Sequence, residues 1–194
     1  TPPAGSSPIG LPIGLEPSDV KMLFAMYRTL ILLSKSGDVY VLGYISGALD
    51  GIGAVQGTAG TNVWQRVKIN ATTYLTGVKA VRGQVGNTNI NALIAETNDG
   101  KVYTWGRTTL LGDGSDVAYR SYATEMTLPD DGKTKGIRMI GLTGGVMGGS
   151  SFNTYYVLSN SGNLYAMGDN KNYQCGAFTR DLVHLTWVQA QKSA

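Results

Sequence analysis

The sequence predicts an all-β protein, built as a partial or assembling β-propeller of three four-stranded antiparallel blades. Three observations predict this fold: the composition, a threefold internal repeat and a hairpin signal inside each copy. Of the 194 residues, 27 are Gly and only 15% are charged, while Thr, Asn, Ser and Tyr are frequent. This composition is typical of sheet proteins with many turns rather than of helical bundles.

The repeat is anchored on a glycine that closes a short strand in each copy. Gly43, Gly106 and Gly168 end the segments "SGDVYVLG", "DGKVYTWG" and "SGNLYAMG", at spacings of 63 and 62 residues. Upstream, "VKML", "VKAV" and "IRMI" share an apolar–basic–apolar–apolar pattern, and downstream "WQRV", "ATEM" and "TWVQ" follow at similar offsets. Three anchors in one order indicate a repeated supersecondary unit.

Each copy divides into four predicted strands. The first is of the "VKAV" type, the second is "TLILLS", "ALIAET" or "TYYVLS", the third ends at the closing glycine, and the fourth is of the "WQRV" type. Ser-Gly or Asp-Gly between the second and third strands supplies the positive φ of a two-residue hairpin turn. The third strands carry bulk on both faces, so we expect them to be buried on both sides by radial stacking of blades. The predicted repeats cover approximately residues 20–77, 78–136 and 137–190.

Residues 1–18 precede the repeat region 19–194 and hold five of the six prolines. Pro lacks the backbone donor that a sheet needs, so this segment is interpreted as an extended arm or linker. Two alternatives stay open: a disordered tail, or an arm that docks onto a neighbouring subunit or domain. The docked arm is supported by side chains that are too apolar for a solvated tail, namely Ile9, Leu11, Pro12, Ile13 and Leu15.

Charge and hydropathy exclude several classes of partner. The chain has 16 basic and 13 acidic residues and a net charge of +3, without a cluster of Lys and Arg. A nucleic-acid partner is therefore not expected. No apolar run approaches the roughly 18 residues of a membrane-spanning helix, so membrane insertion is not expected either.

Catalytic and metal chemistry have few candidate residues. The single Cys175 and single His184 exclude an intrachain disulfide and a Cys/His zinc site of about four ligands. The two could form a nucleophile–base pair, but a packing role for Cys175 is the better interpretation. "GDGSD" and "LPDDGK" do not complete a calcium loop and are expected to be turns. No catalytic residue, metal or cofactor is predicted, and we expect that the protein is not an enzyme.

A family resemblance is carried by "ALIAETNDGKVYTWGRTTLLGDG". It resembles the repeat of the regulator-of-chromosome-condensation propeller family: a Leu-rich strand, Asp-Gly, a Val-Tyr-x-Trp-Gly strand, then an Asn-x-x-Gly-Gln-Leu-Gly loop. "SGNLYAMGDNKNYQCG" matches the same stretch, with Met167 in place of Trp and Cys175 in place of Leu. The resemblance covers Val20 to Gln189 and implies a propeller of about seven blades, of which this chain supplies three.

Binding residues are predicted on the long connectors between third and fourth strands, because variable loops on a rigid scaffold usually carry binding. Tyr and Arg are favoured at interface hot spots. The candidate partner-binding residues are Tyr44, Arg107, Tyr119, Arg120 and Tyr122.

The expected function is a non-catalytic protein-interaction or structural module of a larger extracellular or virion assembly, such as a phage tail or fibre. Its expected partners are other proteins, further copies or blades of the same assembly, and a possible ligand on a host surface. A virion or extracellular location is favoured over a cytoplasmic one. The alternative, implied by the resemblance alone, is an intracellular propeller regulator such as an exchange factor for a small GTPase. An enzyme and a carbohydrate-binding lectin are the remaining alternatives.

Overall fold

Three four-stranded antiparallel sheets form the molecule, which confirms the predicted all-β class and the three blades. The computed structural model describes residues 10–26, 29–43, 51–53, 61–84, 92–144 and 153–191. The strands are β1 (Val20–Met26), β2 (Thr29–Ser34), β3 (Val39–Gly43), β4 (Thr61–Arg66), β5 (Val78–Gly83), β6 (Ala92–Thr97), β7 (Val102–Leu110), β8 (Asp116–Glu125), β9 (Ile137–Gly144), β10 (Asn153–Ser159), β11 (Leu164–Asp169) and β12 (Val183–Gln189).

Each sheet is a simple meander, in which every strand pairs with the next one along the chain. We call β1–β4 blade 1, β5–β8 blade 2 and β9–β12 blade 3. Tyr40 in blade 1 and Tyr165 in blade 3 are equivalent, since each lies three residues before the recurring glycine. Arg66 lies opposite Tyr40 and Gln189 lies opposite Tyr165, so Arg66 and Gln189 are equivalent residues of the fourth strands. Two residues earlier, Trp64 is equivalent to Trp187, and the predicted alignment of "TWVQ" with "WQRV" is therefore wrong by one residue.

The hairpin between second and third strands has a three-residue loop, so the predicted two-residue turn is wrong. In blade 1 the amide of Ser34 donates to the carbonyl of Asp38, and the amide of Gly37 donates to the carbonyl of Ser34. Gly37 has φ +88° and Gly100 has φ +83° in the matching turn of blade 2. This is the turn-plus-bulge hairpin, in which glycine takes the left-handed position. In blade 1 the Ser34 hydroxyl also accepts the amide of Asp38 at 2.9 Å.

A short helix replaces one of the expected turns. "LPDDGK" was predicted to be a turn, but the chain forms α1 (Asp130–Lys135) there. Pro129 precedes the helix in an extended conformation, acidic side chains lie in its first turn and basic ones in its last. That charge order complements the helix dipole, and the helix ends at Gly136.

The core lies between blades rather than within them. Between blades 1 and 2, Trp105 is 0% exposed and packs with Ile31 and Leu93. Between blades 2 and 3, Tyr155 is 0% exposed and packs with Ile94. The phenol of Tyr155 lies 3.1 Å from the Thr104 hydroxyl. Burial, the dominant cause, raises the pKa of Tyr155 to about 12, so the phenol stays protonated as a hydrogen-bonding group.

Candidate functional site

The described parts of the connectors between third and fourth strands each contact the next blade, because Gly53 donates to the Ser121 carbonyl of blade 2 and Gly114 donates to the Leu185 carbonyl of blade 3. We call the edge that these described connector residues form the rim. In blade 2 the connector is a hairpin extension of the sheet. Beyond Gly106, strands β7 and β8 stay paired, with Arg107 opposite Tyr119 and Leu110 opposite Asp116. Rigid display of side chains on paired strands suits a binding site better than a mobile loop would.

Among the predicted binding residues that the structure describes, Tyr119 is the exposed aromatic. Its side chain is 43% exposed, and Val117 beside it on the same strand is also exposed. Arg120 is half-buried; burial lowers the pKa of its guanidinium, and the nearby Asp113 carboxylate opposes that shift. An arginine stays charged at neutral pH in such a place, so Arg120 presents a partly desolvated cation on the rim.

Two predicted residues contribute to contacts between blades. Tyr122 pairs with Ile52 of blade 1, and a side chain at Gly53 would overlap its ring. The backbone carbonyl of Arg107 accepts the Asn153 side-chain amide of blade 3 at 2.9 Å. Tyr122 is therefore half-buried against a neighbouring blade, and its role in partner binding stays a prediction.

Tyr44 lies outside the residues that the structure describes. For the other four candidates, Arg107, Tyr119, Arg120 and Tyr122, the structure gives positions on one connector and its strands, with Tyr119 the most accessible. Their participation in a protein interface remains a prediction.

An exposed apolar group on the blade 3 connector was missed in the sequence. Tyr173 is 64% exposed, Phe178 is 83% exposed and Leu182 is 60% exposed. Tyr173, Phe178, Thr179 and Arg180 line a shallow recess of about 300 Å³. The aromatic residues of "NYQCGAFTRDL" were the available signal, but the match of this stretch to a family loop directed attention to Cys175 instead.

This connector is held in place by hydrogen bonds around Asn170. The Asn170 side chain donates to the carbonyl of Asp181 at 2.9 Å and accepts the amide of Cys175 at 3.1 Å. The ring of His184 lies 2.9 Å from the Thr179 hydroxyl and 3.3 Å from the Asn170 amide nitrogen. An ordered connector loses little conformational entropy on binding, which favours affinity.

Cys175 and His184 are both buried parts of this network. Burial, with a smaller contribution from Asp169, raises the pKa of the Cys175 thiol to about 11. At neutral pH the thiol is therefore protonated, which is the opposite of an activated nucleophile. His184 contacts a hydroxyl and an amide, and both contacts fit a packing and hydrogen-bonding role.

Alkaline pH is expected to destabilise the fold through Cys175. Its thiol has a pKa raised from 9.0 to about 11 by burial, so above pH 9 the unfolded chain loses this proton while the folded chain keeps it. The free energy of unfolding should then fall between pH 9 and 11. Urea unfolding at several pH values should show a smaller decline for Cys175→Ala than for the wild type. Parallel curves for the two proteins would contradict the assignment.

The described part of the chain has neither a metal-binding cluster nor a membrane-spanning helix. No group of three or more His, Cys, Asp or Glu side chains there is arranged to hold a metal ion. Among the same residues, no helix has the length and apolar character needed to cross a membrane.

Comparison with known proteins gives structural matches only. No family model matches the chain, and no curated protein matches it either. Human WBSCR16 superposes with a TM-score of 0.62 at 15% identity, over 89% of this chain and 40% of that one. Prp20p from Saccharomyces cerevisiae, whose binding to Gsp1p and histones was studied with its structure, gives 0.62 at 12% identity, over 90% and 39%. The structure of Kap60 bound to yeast RCC1 (Prp20) gives 0.58 at 16% identity, over 92% and 39%.

These matches correct one expectation and confirm another. The predicted virion or extracellular location is wrong: the neighbours are RCC1-type proteins, and one of them binds histones, which are proteins of the cell interior. The predicted phage-tail and host-recognition roles gain no support from them. The chain spans about two fifths of the length of these solved structures. Its three blades have the fold of the RCC1-type propeller repeat.

Proposed function

We propose that this chain is a protein-binding propeller module of the kind found in intracellular RCC1-type regulators. The observation that carries the proposal is the exposure of Tyr119, Tyr173 and Phe178 on the connectors of blades 2 and 3. Exposed aromatic side chains on a rigid scaffold are the usual anchors of protein interfaces. Two of the structural neighbours support this proposal, because Prp20 was studied with the protein partners Gsp1p, histones and Kap60.

The partner class that we propose is a small GTPase, with exchange of its nucleotide as the activity of the complete propeller. The family resemblance implies this activity, and it supports a regulator rather than a structural role. The net charge of this chain bears on which of the two partners studied with Prp20p, Gsp1p or histones, is the better comparison. This chain carries +3, and like charges across an interface oppose association, which disfavours the strongly basic histones.

We also propose that the chain acts without catalytic side chains of its own. Cys175 is buried and its thiol pKa is raised to about 11. Exchange of a bound nucleotide requires binding energy that distorts the partner's site and needs no nucleophile or metal from the regulator.

The test uses the purified chain and a panel of small GTPases loaded with a fluorescent nucleotide. It measures binding of the chain to each GTPase and the rate at which the GTPase releases its nucleotide. Binding to at least one GTPase is expected, and Phe178→Ala combined with Tyr173→Ala should weaken it about tenfold or more, the loss typical of hot-spot residues. Ile13→Ala is the matched control, because that apolar side chain is also exposed but lies off the rim. No binding across the panel would contradict the GTPase proposal, and equal losses in the control would contradict the assigned rim.

A further inference from the structure

Equivalent strand positions build both interfaces between blades. On the face that each blade turns to the next one, Ile31 and Val39 of blade 1 correspond to Ile94 and Val102 of blade 2. All four are 0% exposed and belong to the core clusters. Among the residues that the structure describes, no blade lies against the corresponding face of blade 3. There Leu164 occupies the position of Val39 and Val102, and it is 39% exposed.

The open face of blade 3 is apolar. Met139 on β9, the first strand of the blade, is 57% exposed. Tyr156 and Leu158 on β10 are half-buried. The register places Met139 opposite Leu158, and Leu158 opposite Leu164, in one row across three strands. An exposed, uncharged row of this kind can pack against the face of another sheet.

A second contact also recurs at each interface. The connector of one blade donates a backbone hydrogen bond to the fourth strand of the next: Gly53 to the Ser121 carbonyl at 2.8 Å, and Gly114 to the Leu185 carbonyl at 3.3 Å. The blade 3 connector, with Tyr173 and Phe178 exposed, is the third member of this series.

A third contact shows what covers blade 1. In blade 3 the indole N–H of Trp187 donates to the backbone carbonyl of Thr127, in the segment that follows the last strand of blade 2. Trp64 is the equivalent residue of blade 1, and its indole N–H donates at 2.8 Å to the carbonyl of Gly10. The N-terminal arm therefore supplies at blade 1 the acceptor that the preceding blade supplies at blade 3.

Burial agrees with a covered face at blade 1. Leu32 and Leu42 point away from blade 2 and belong to neither core cluster, yet they are 0% and 4% exposed. Pro12 of the arm is buried as well. Leu23 and Leu30 on the same face remain 54% and 39% exposed. The arm thus contacts this face at Trp64 through Gly10, while Leu23 and Leu30 leave another part of the same face exposed.

We propose that this face of blade 1 binds the open face of blade 3 in a second copy of the chain, and that residues 10–15 are a strap that competes with the second copy. Each copy carries both halves of the contact, and both faces are apolar and uncharged at the positions named above. Two copies joined head to tail through both contacts give six blades, which is within the range of closed propellers. The contact continues the two interfaces inside the chain, and it does not rest on the proposed GTPase partner.

The test releases the strap in the full chain by Leu11→Asp with Pro12→Asp. Both side chains are at least partly buried in the arm, whereas Ile13 beside them is fully exposed, so Ile13→Asp is the matched control. Sedimentation equilibrium should give the control and the wild type a mass near 20.5 kDa and the released variant twice that mass. Limited proteolysis of the arm reports its release, and circular dichroism reports folding; Leu11→Ser with Pro12→Ser is the milder variant if the first one unfolds.

Met139→Lys, added to the released variant, should return it to the monomer, because a charge would then be buried between the sheets. Val117→Lys on blade 2, at an exposed apolar residue away from both faces, should leave the dimer intact. The proposal is overturned if the released arm is cleaved and the chain stays monomeric, if the dimer survives Met139→Lys, or if open assemblies larger than two chains form. If the wild type is itself a dimer, the arm does not compete with the second copy, and the proposed role of the strap is overturned.

Discussion

Replacing Gly168 with alanine is expected to lower the free energy of unfolding by more than about 4 kcal/mol, the range reserved for severe core defects. Gly168 is the penultimate residue of β11 and has φ +121°, at an irregularity in the pairing of β11 with β12. A Cβ there would overlap the backbone carbonyl of Asn153 in the paired strand. A main-chain atom cannot rotate away, so the ladder between β10 and β11 has to separate.

Gly162→Ala is the matched control for that substitution. Gly162 also has positive φ, +86°, but no atom lies within 4 Å of the place where its Cβ would be. Only the cost of a left-handed residue remains, about 1–2 kcal/mol. Chemical unfolding of both variants measures the difference. A loss at Gly168 no larger than at Gly162 would show that the strands tolerate the added methyl group.

Trp105→Ala is expected to cost about 3–5 kcal/mol, the usual loss for a buried tryptophan. Trp105 is fully buried between blades 1 and 2. A side chain at Gly51 of the blade 1 connector would come within 3.0 Å of its indole ring. Removing the ring leaves a cavity that reaches from the sheet to the connector, which weakens the packing between the two blades.

Trp105→Phe separates packing from hydrogen bonding at the same position. The indole nitrogen of Trp105 is buried without a hydrogen-bond partner among the described residues, so phenylalanine removes an unsatisfied donor while it fills most of the volume. Its cost should be less than half that of alanine in urea unfolding. An equal cost for the two variants would indicate that the indole nitrogen contributes a contact.

The blades were predictable because their signals are local and repeat. A recurring glycine in each third strand and a Gly-containing hairpin turn fix the strand order within about 60 residues. Gly43, Gly106 and Gly168 all have φ above +100°. The prediction that this glycine ends the third strand is correct for β3 only, because β7 continues to Leu110 and β11 to Asp169. The predicted length of the turn failed, since Ser-Gly suits both two-residue and three-residue loops. The helix at Asp130–Lys135 escaped notice because six residues give too little periodicity.

The candidate site was less predictable, because residue type does not show which way a side chain points. Tyr122 was selected as an interface tyrosine, yet it lies against Gly53 of the neighbouring blade. Phe178 was passed over although it is 83% exposed. The location was wrongly predicted for a related reason: abundant Gly, Thr, Asn and Tyr follow from turns and strands, and they carry no information about the compartment.

The connector contacts make the stability of each blade depend on its neighbour. Blade 2 receives the connector of blade 1 at Ser121 and sends its own to Leu185, and it is packed on both faces. Such a chain behaves as a short one-dimensional array, in which each unit contributes its own folding free energy plus a coupling to the next. The outer blades then unfold at lower free energy than the central one. Unfolding of blade 2 removes both interfaces between blades, so it coincides with global unfolding.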